Sequence, residues 1–130
     1  MLLKVDYREK KLLKLLESLK NMYNFDKIII SCENLELGDF IICDDVGREK
    51  LIIERKSLSD LASSIKDGRY AEQSFRLNNY NFHNHNIQYI IEGDLRYWEK
   101  YGGKYNKMPV KTFFVTMFSL FYYKGFSVMR

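Results

Sequence analysis

The sequence predicts an α/β layered domain, a mixed β-sheet with helices on both of its faces. Two observations carry this. Runs of β-branched and aromatic residues with strand lengths alternate with leucine and phenylalanine stripes at helical spacing along the whole chain. The 130 residues, 46% hydrophobic and 15% aromatic, are enough for one packed core and leave little room for a second folding unit, so residues 1–130 are expected to form a single domain.

Leu2 to Asp6 reads as a short strand, and Arg8-Glu9-Lys10-Lys11 opens a helix whose stripe is Leu12, Leu16, Leu19 and Tyr23. Lys27 to Glu33, with Ile28-Ile29-Ile30 inside it, is the second strand. Asp39 to Asp44 and Glu49 to Lys56 flank Val46-Gly47 as the arms of a hairpin. Ser57-Leu58-Ser59-Asp60 supplies cap residues for a short helix that Gly68 ends, and a further helix runs from Arg69 to about Asn79. Asn78 to Asn86 is a loop, Ile87 to Glu92 a strand, Leu95 to Tyr101 a helical turn and Gly102 to Lys107 a polar loop. Pro109 starts a helix that ends near Gly125, before a last strand, Phe126 to Met129.

Composition narrows the function classes. The longest uncharged apolar-rich run, Thr112 to Tyr123, falls well short of the roughly 20 residues that cross a bilayer, so no membrane role is expected. Lys4 and Asp6 interrupt the apolar start, and two cysteines cannot build a disulfide framework, so an intracellular protein is expected. A net charge of +4 is compatible with nucleic acid without establishing it.

The chemistry concentrates in Gly38-Asp39 and Glu54-Arg55-Lys56. A hairpin turning on Asp45 to Arg48, or on Val46-Gly47 alone, sets Asp39 directly opposite Glu54, with Cβ atoms about 5 Å apart. A three-residue loop ending at Gly47 would slide this pairing by one, and a bulge would restore it. Two carboxylates so close repel each other unless a cation lies between them, and Mg²⁺ is the hard ion that suits oxygen ligands. Strand alternation puts Lys56 on the Glu54 side, about 7 Å along the strand, and turns Arg55 away. An ammonium there orients a water nucleophile and offsets charge growing on a phosphate, which is hydrolytic phosphodiester chemistry.

The longer string Gly38-Asp39, Glu54-Arg55-Lys56-Ser57-Leu58-Ser59-Asp60, Asp67-Gly68-Arg69-Tyr70 and Gln73 resembles the nuclease domain of the XPF family of structure-specific DNA endonucleases. Val5-Asp6-Tyr7-Arg8-Glu9 is similar to the family's first strand, Ile90-Ile91-Glu92 to its fifth, and Lys124-Gly125-Phe126-Ser127-Val128 to its last helix and strand. The resemblance implies a restriction-endonuclease-like core, a Mg²⁺ or Mn²⁺ cofactor held by Asp39 and Glu54, and Lys56 handling the water. It places Asp6 and Glu9 at the edge of the same site, although Glu9 equally suits a helix start. Arg55 is expected to pair with Asp60 one helical turn on as a brace, Asp60 otherwise being an exposed first-turn carboxylate. Arg69 and Gln73, four apart on one helix face, suit phosphate contact or site support. The implied activity is cleavage of flap, fork or other branched DNA in replication, repair or recombination, at such sites in a nucleus or a viral replication compartment. Two alternatives stand beside it: a non-catalytic DNA-binding or dimerisation subunit, against which the intact Asp39, Glu54, Lys56 set argues, and a duplex-cutting nuclease of restriction type. Nothing resembles the helix-hairpin-helix module that members usually carry after this domain, so a nuclease domain alone is expected.

Other features carry less. His83-Asn84-His85 is a loop triplet rather than a metal motif, Cys32 and Cys43 are expected as small strand residues, and Gly93-Asp94 as a strand-end turn. Lys100, Lys104, Lys107 and Lys111, interleaved with Tyr101 and Tyr105 near Trp98, either track a DNA backbone or form a solvated basic loop. In the helix Val110 to Tyr123 the apolar arc spans roughly 220°, against about 100° for an ordinary surface helix. The excess predicts a dimer with this helix at its centre, most simply a homodimer and otherwise a heterodimer, unless Leu95 to Tyr105 folds over it.

Overall fold

Apolar strands with strand-end carboxylates build the sheet. The computed structural model describes residues 1–24, 26–80, 83–102 and 107–130. Its elements are β1 (Leu2–Asp6), α1 (Lys10–Tyr23), β2 (Ile29–Glu33), β3 (Phe40–Cys43), β4 (Glu49–Ser57), α2 (Leu58–Asp67), α3 (Arg69–Asn78), β5 (Ile87–Glu92), α4 (Leu95–Tyr101), α5 (Val110–Phe118) and β6 (Ser127–Met129). The strands hydrogen-bond in the order β2-β1-β3-β4-β5-β6. β1 runs parallel to β2 and antiparallel to β3, β3 antiparallel to β4, and β5 parallel to β6, the mixed sheet expected.

The chain divides into two compact units, residues 1–54 and 55–130, with the boundary inside β4. In the first, Val5, Ile41, Cys43, Ile52 and Ile53 are buried, the β-branched residues packing on a pleated surface as their stiffness favours. Helix α1 shows its leucine stripe only half-buried. In the second, Leu58, Leu61 and Ala62 of α2, Leu77 of α3, and Ile87, Tyr89 and Ile91 of β5 form the interior. The buried-intermediate alternation of β5 has the period of a strand. Ser57 caps α2 by accepting from the Asp60 amide at 3.1 Å, and Gly68, at φ +82°, ends it and begins α3.

The hairpin takes the three-residue form. The Asp44 amide donates to the Arg48 carbonyl at 3.0 Å, and Gly47, at φ +86°, occupies the left-handed position that closes such a loop. Pairing there joins Cys43 to Glu49, but a bulge at Ile42/Cys43 absorbs the slip, so Ile42, Ile41 and Phe40 face Leu51, Ile52 and Ile53. Two smaller readings change. The helix expected to run unbroken to Tyr123 is α-helical to Phe118 and widens into a π-turn over Ser119–Tyr123. Cys43 is buried as expected of a small strand residue, whereas Cys32 is exposed because β2 lies at the sheet edge.

Candidate active site

Asp39 stands where β3 begins and Glu54 where β4 nears its end. The last ladder pair is Phe40 with Ile53, and one residue beyond it the Asp39 amide donates to the Ile53 carbonyl at 2.8 Å. Asp39 is therefore anchored through the residue before Glu54. Gly38 makes this approach possible. Its φ is +79°, and a Cβ would lie 2.6 Å from Ile52 Cγ2 and 3.2 Å from the Ile53 carbonyl oxygen, so only glycine lets the chain enter β3 here. Glu54 is buried, 3% exposed, whereas Asp39 is half-buried.

Asp6 supports the same corner from β1. Its amide donates to the Asp39 carbonyl at 2.9 Å, tying the two strand ends together. Its carboxylate, 1% exposed, accepts from Arg8 Nε at 2.8 Å, Arg8 Nη2 at 3.2 Å, the Arg8 amide at 3.0 Å and the Leu35 amide at 3.0 Å. Arg8's hydrogen bonds hold the Asp6 carboxyl below the usual carboxylate range against the upward push of burial. With about four lone-pair sites per carboxylate, these four donors occupy its accepting capacity, and the geometry is that of a brace. The hydrogen bond and charge of Asp6 raise the pKa of Arg8, with a smaller contribution from the charge of Asp39. Glu9 is half-buried at the N-cap of α1 without a side-chain cap bond, and its amide donates to the Asp6 carbonyl at 3.0 Å.

The remaining candidates lie in the second unit. Lys56 follows Glu54 by two residues on β4. Arg55 pairs with Glu92 at the end of β5, through Nε at 2.5 Å and Nη2 at 3.1 Å, where the sequence pointed to Asp60. The reason is lateral: the neighbouring strand brings a carboxylate alongside, while Asp60 sits in the exposed first turn of α2. Arg69 bonds Asp67 across the α2–α3 joint, Nε to Oδ2 at 2.7 Å, and Gln73 is half-buried one turn on. Gly93-Asp94, read as a strand-end turn, opens α4, with Asp94 Oδ1 accepting from the Arg96 amide at 2.9 Å. Lys104 and Tyr105 lie outside the described residues.

Sequence reasoning passed over Arg8 and Glu92. Glu92 could have been found as the charged residue that ends an otherwise apolar strand, and Arg8 as the cation two residues after the strand-end Asp6.

Among the described residues no three His, Cys, Asp or Glu side chains converge as a metal-binding group. Two carboxylates nevertheless suit Mg²⁺ or Mn²⁺, hard ions that keep several waters and take one or two protein carboxylates. The donor chemistry at Asp39 and Glu54 fits such an ion.

Comparison with known proteins places this geometry in a family. A model of the ERCC4 domain matches residues 5–130. The probable crossover junction endonuclease mus81 of Dictyostelium discoideum is 44% identical over 94 residues, covering 68% of this chain and 10% of the relative. An ERCC4 domain-containing protein of African swine fever virus is 31% identical over 72 residues, covering 55% of this chain and 20% of its own length. The chain thus spans between a tenth and a fifth of these two relatives. Among solved structures, XPF from Aeropyrum pernix superposes with a TM-score of 0.70 at 27% identity over 99% of this chain and 55% of that one. The same protein in complex with DNA superposes at 0.64 and 23% identity over 98% and 55%, a likeness of fold. The glycine-anchored Asp39, buried Glu54 and Asp6 brace are thus features of a chain that belongs to the ERCC4 domain family, with the XPF nuclease fold.

Proposed function

We propose that this chain is one nuclease domain that hydrolyses phosphodiester bonds in flap, fork or other branched DNA, with Mg²⁺ or Mn²⁺. The observation that supports the reading is the Asp39 amide bonded to the carbonyl of Ile53, the residue before Glu54, at the Gly38 entry, in a family whose relatives include a crossover junction endonuclease. Asp39 and Glu54 would hold the ion, which when bound polarises a phosphate oxygen and activates water. Lys56, on the Glu54 side of β4 by strand alternation, orients the attacking water and offsets charge on the phosphate as its P–O bond breaks. Arg55, held by Glu92, steadies the strand between the carboxylate and the lysine. Asp60, Arg69 and Gln73 serve DNA contact or support, and Glu9 sits at the edge of the Asp6 corner. The relatives come from a eukaryote and a virus, which supports work at replication or repair sites in a nucleus or viral compartment.

The same reading includes pairing through α5. Phe113 and Leu120 are fully buried, and Trp98 meets the Phe113 ring edge-on at 5.0 Å, so α4 covers one face of the helix. Phe114, Val115, Phe118 and Phe121 remain half or more exposed, the surface a second subunit would cover, in a homodimer or a heterodimer.

The test is cleavage of labelled flap, fork and duplex DNA by the purified chain with Mg²⁺ or Mn²⁺. Asp39→Asn and Glu54→Gln are expected to abolish cutting while keeping or improving fold stability, since a like-charge pair is relieved. Lys56→Ala is expected to lower turnover on the order of 10²-fold with DNA binding little changed. Cleavage unchanged in either carboxylate variant would falsify the metal assignment. A wild type that binds branched DNA without cutting it would identify a non-catalytic subunit.

A further inference from the structure

A cleft of about 750 Å³ opens in the second unit beside the start of α2. One wall is aromatic. Tyr97 and Tyr101, one turn apart on α4, are 62% and 59% exposed, with ring centroids 4.8 Å apart. Neither ring contributes to the interior, since α4 packs inward through Leu95 and Trp98. Two cations are near the tyrosines: Lys107 is in the lining, and Lys100 Nζ lies 5.1 Å from the Tyr101 ring centroid. Leu58 and Trp98 are the buried part of the lining, and Ser59, Glu92 and Asp94 add polar and acidic groups to it. Glu92 is engaged by Arg55. Asp94 Oδ1 caps α4, which leaves accepting capacity on that carboxylate.

This combination discriminates between ligands. Carboxylates in the lining disfavour a phosphate beside them, but they accept from the exocyclic amino groups of nucleobases, and the tyrosine pair offers a stacking face. The lysines suit the phosphates on either side of a base. Ser57, also in the lining, immediately follows Lys56 on the chain. We propose that the cleft receives one unpaired nucleobase of branched DNA, stacked on Tyr97 and Tyr101 with its amino edge toward Asp94. This rests on the nuclease reading for the identity of the DNA, and it adds a means of recognising a branch: a fully paired duplex has no base to offer.

The test is binding in EDTA, where no cleavage occurs, of a flap DNA carrying 2-aminopurine as its first unpaired nucleotide. Wild-type chain is expected to quench the fluorophore. Tyr97→Ala and Tyr101→Ala should weaken flap binding on the order of tenfold and lose the quench, as removal of a stacking partner does. Tyr97→Phe should retain both, which separates stacking from misfolding. A flap with an abasic first nucleotide should bind wild type as weakly as the intact flap binds Tyr97→Ala. Quenching absent in wild type, or equal affinity for the abasic flap, overturns the proposal, and so does failure to bind flap DNA. Parallel cleavage assays with Mn²⁺ keep the two readings apart: cutting without quenching removes the cleft and leaves the nuclease, and quenching without cutting does the reverse.

Discussion

Asp6 illustrates how one side chain changes meaning between sequence and structure. Its position in Val5-Asp6-Tyr7-Arg8-Glu9 implied an acidic group at the site edge, but burial and four donors make its carboxylate a joint between Arg8, the Leu35 amide and the corner that carries Asp39. Because its folded pKa is depressed, the stability it contributes is present above the unfolded carboxyl pKa of about 3.9 and is lost as pH falls toward the folded value. Asp6→Asn is expected to cost about 2 kcal/mol at neutral pH, because the amide cannot replace the charge-assisted hydrogen bonds of a buried carboxylate. Urea midpoints measured between pH 2 and 7 check this, since the wild type and the variant should converge at the acid end. A constant gap across that range would place the contribution elsewhere.

At the scale of elements, the β3–β4 hairpin shows compensation at work. Counting residues across a two-residue turn suggested one register, the Gly47 loop adopts another, and the bulge at Ile42/Cys43 returns the strands to the first before the site is reached. The site end of the hairpin depends on Gly38. Gly38→Ala is expected to destabilise the chain by about 2 kcal/mol or more, from a positive φ and a Cβ inside van der Waals distance of Ile52 and Ile53. It should also displace Asp39. Calorimetry and cleavage rate measured together check it, and a variant of wild-type stability and rate would show that the backbone has another conformation available.

For the molecule as a whole, the question is what covers α5. The helix was expected to carry more apolar surface than one chain can hide, and Trp98 of α4 covers the Phe113 side without reaching the exposed phenylalanines. Sedimentation at tens of micromolar is expected to find a dimer. Phe114→Glu or Phe118→Glu should dissociate it without unfolding, because neither residue belongs to the interior. A monomeric wild type would remove the homodimer and leave pairing with a different chain as the form to seek.

The order of strands and helices, the hairpin, the α2 cap and the Gly-Asp and Glu-Arg-Lys strings were all legible in the linear chain. Periodicity, capping and turn chemistry are local and act over a few residues. Pairings between strands distant in sequence were not. Arg55 takes Glu92 from β5 because pairing beside β4 outweighs nearness along the chain, and no spacing rule announces which carboxylate a neighbouring strand will bring. Asp6 reads as one more acid until burial and its donors are seen. The cleft at Tyr97 and Tyr101 likewise needs three dimensions: i, i+4 spacing puts the two rings on one helix face, but only folding leaves that face in the open beside the end of β4.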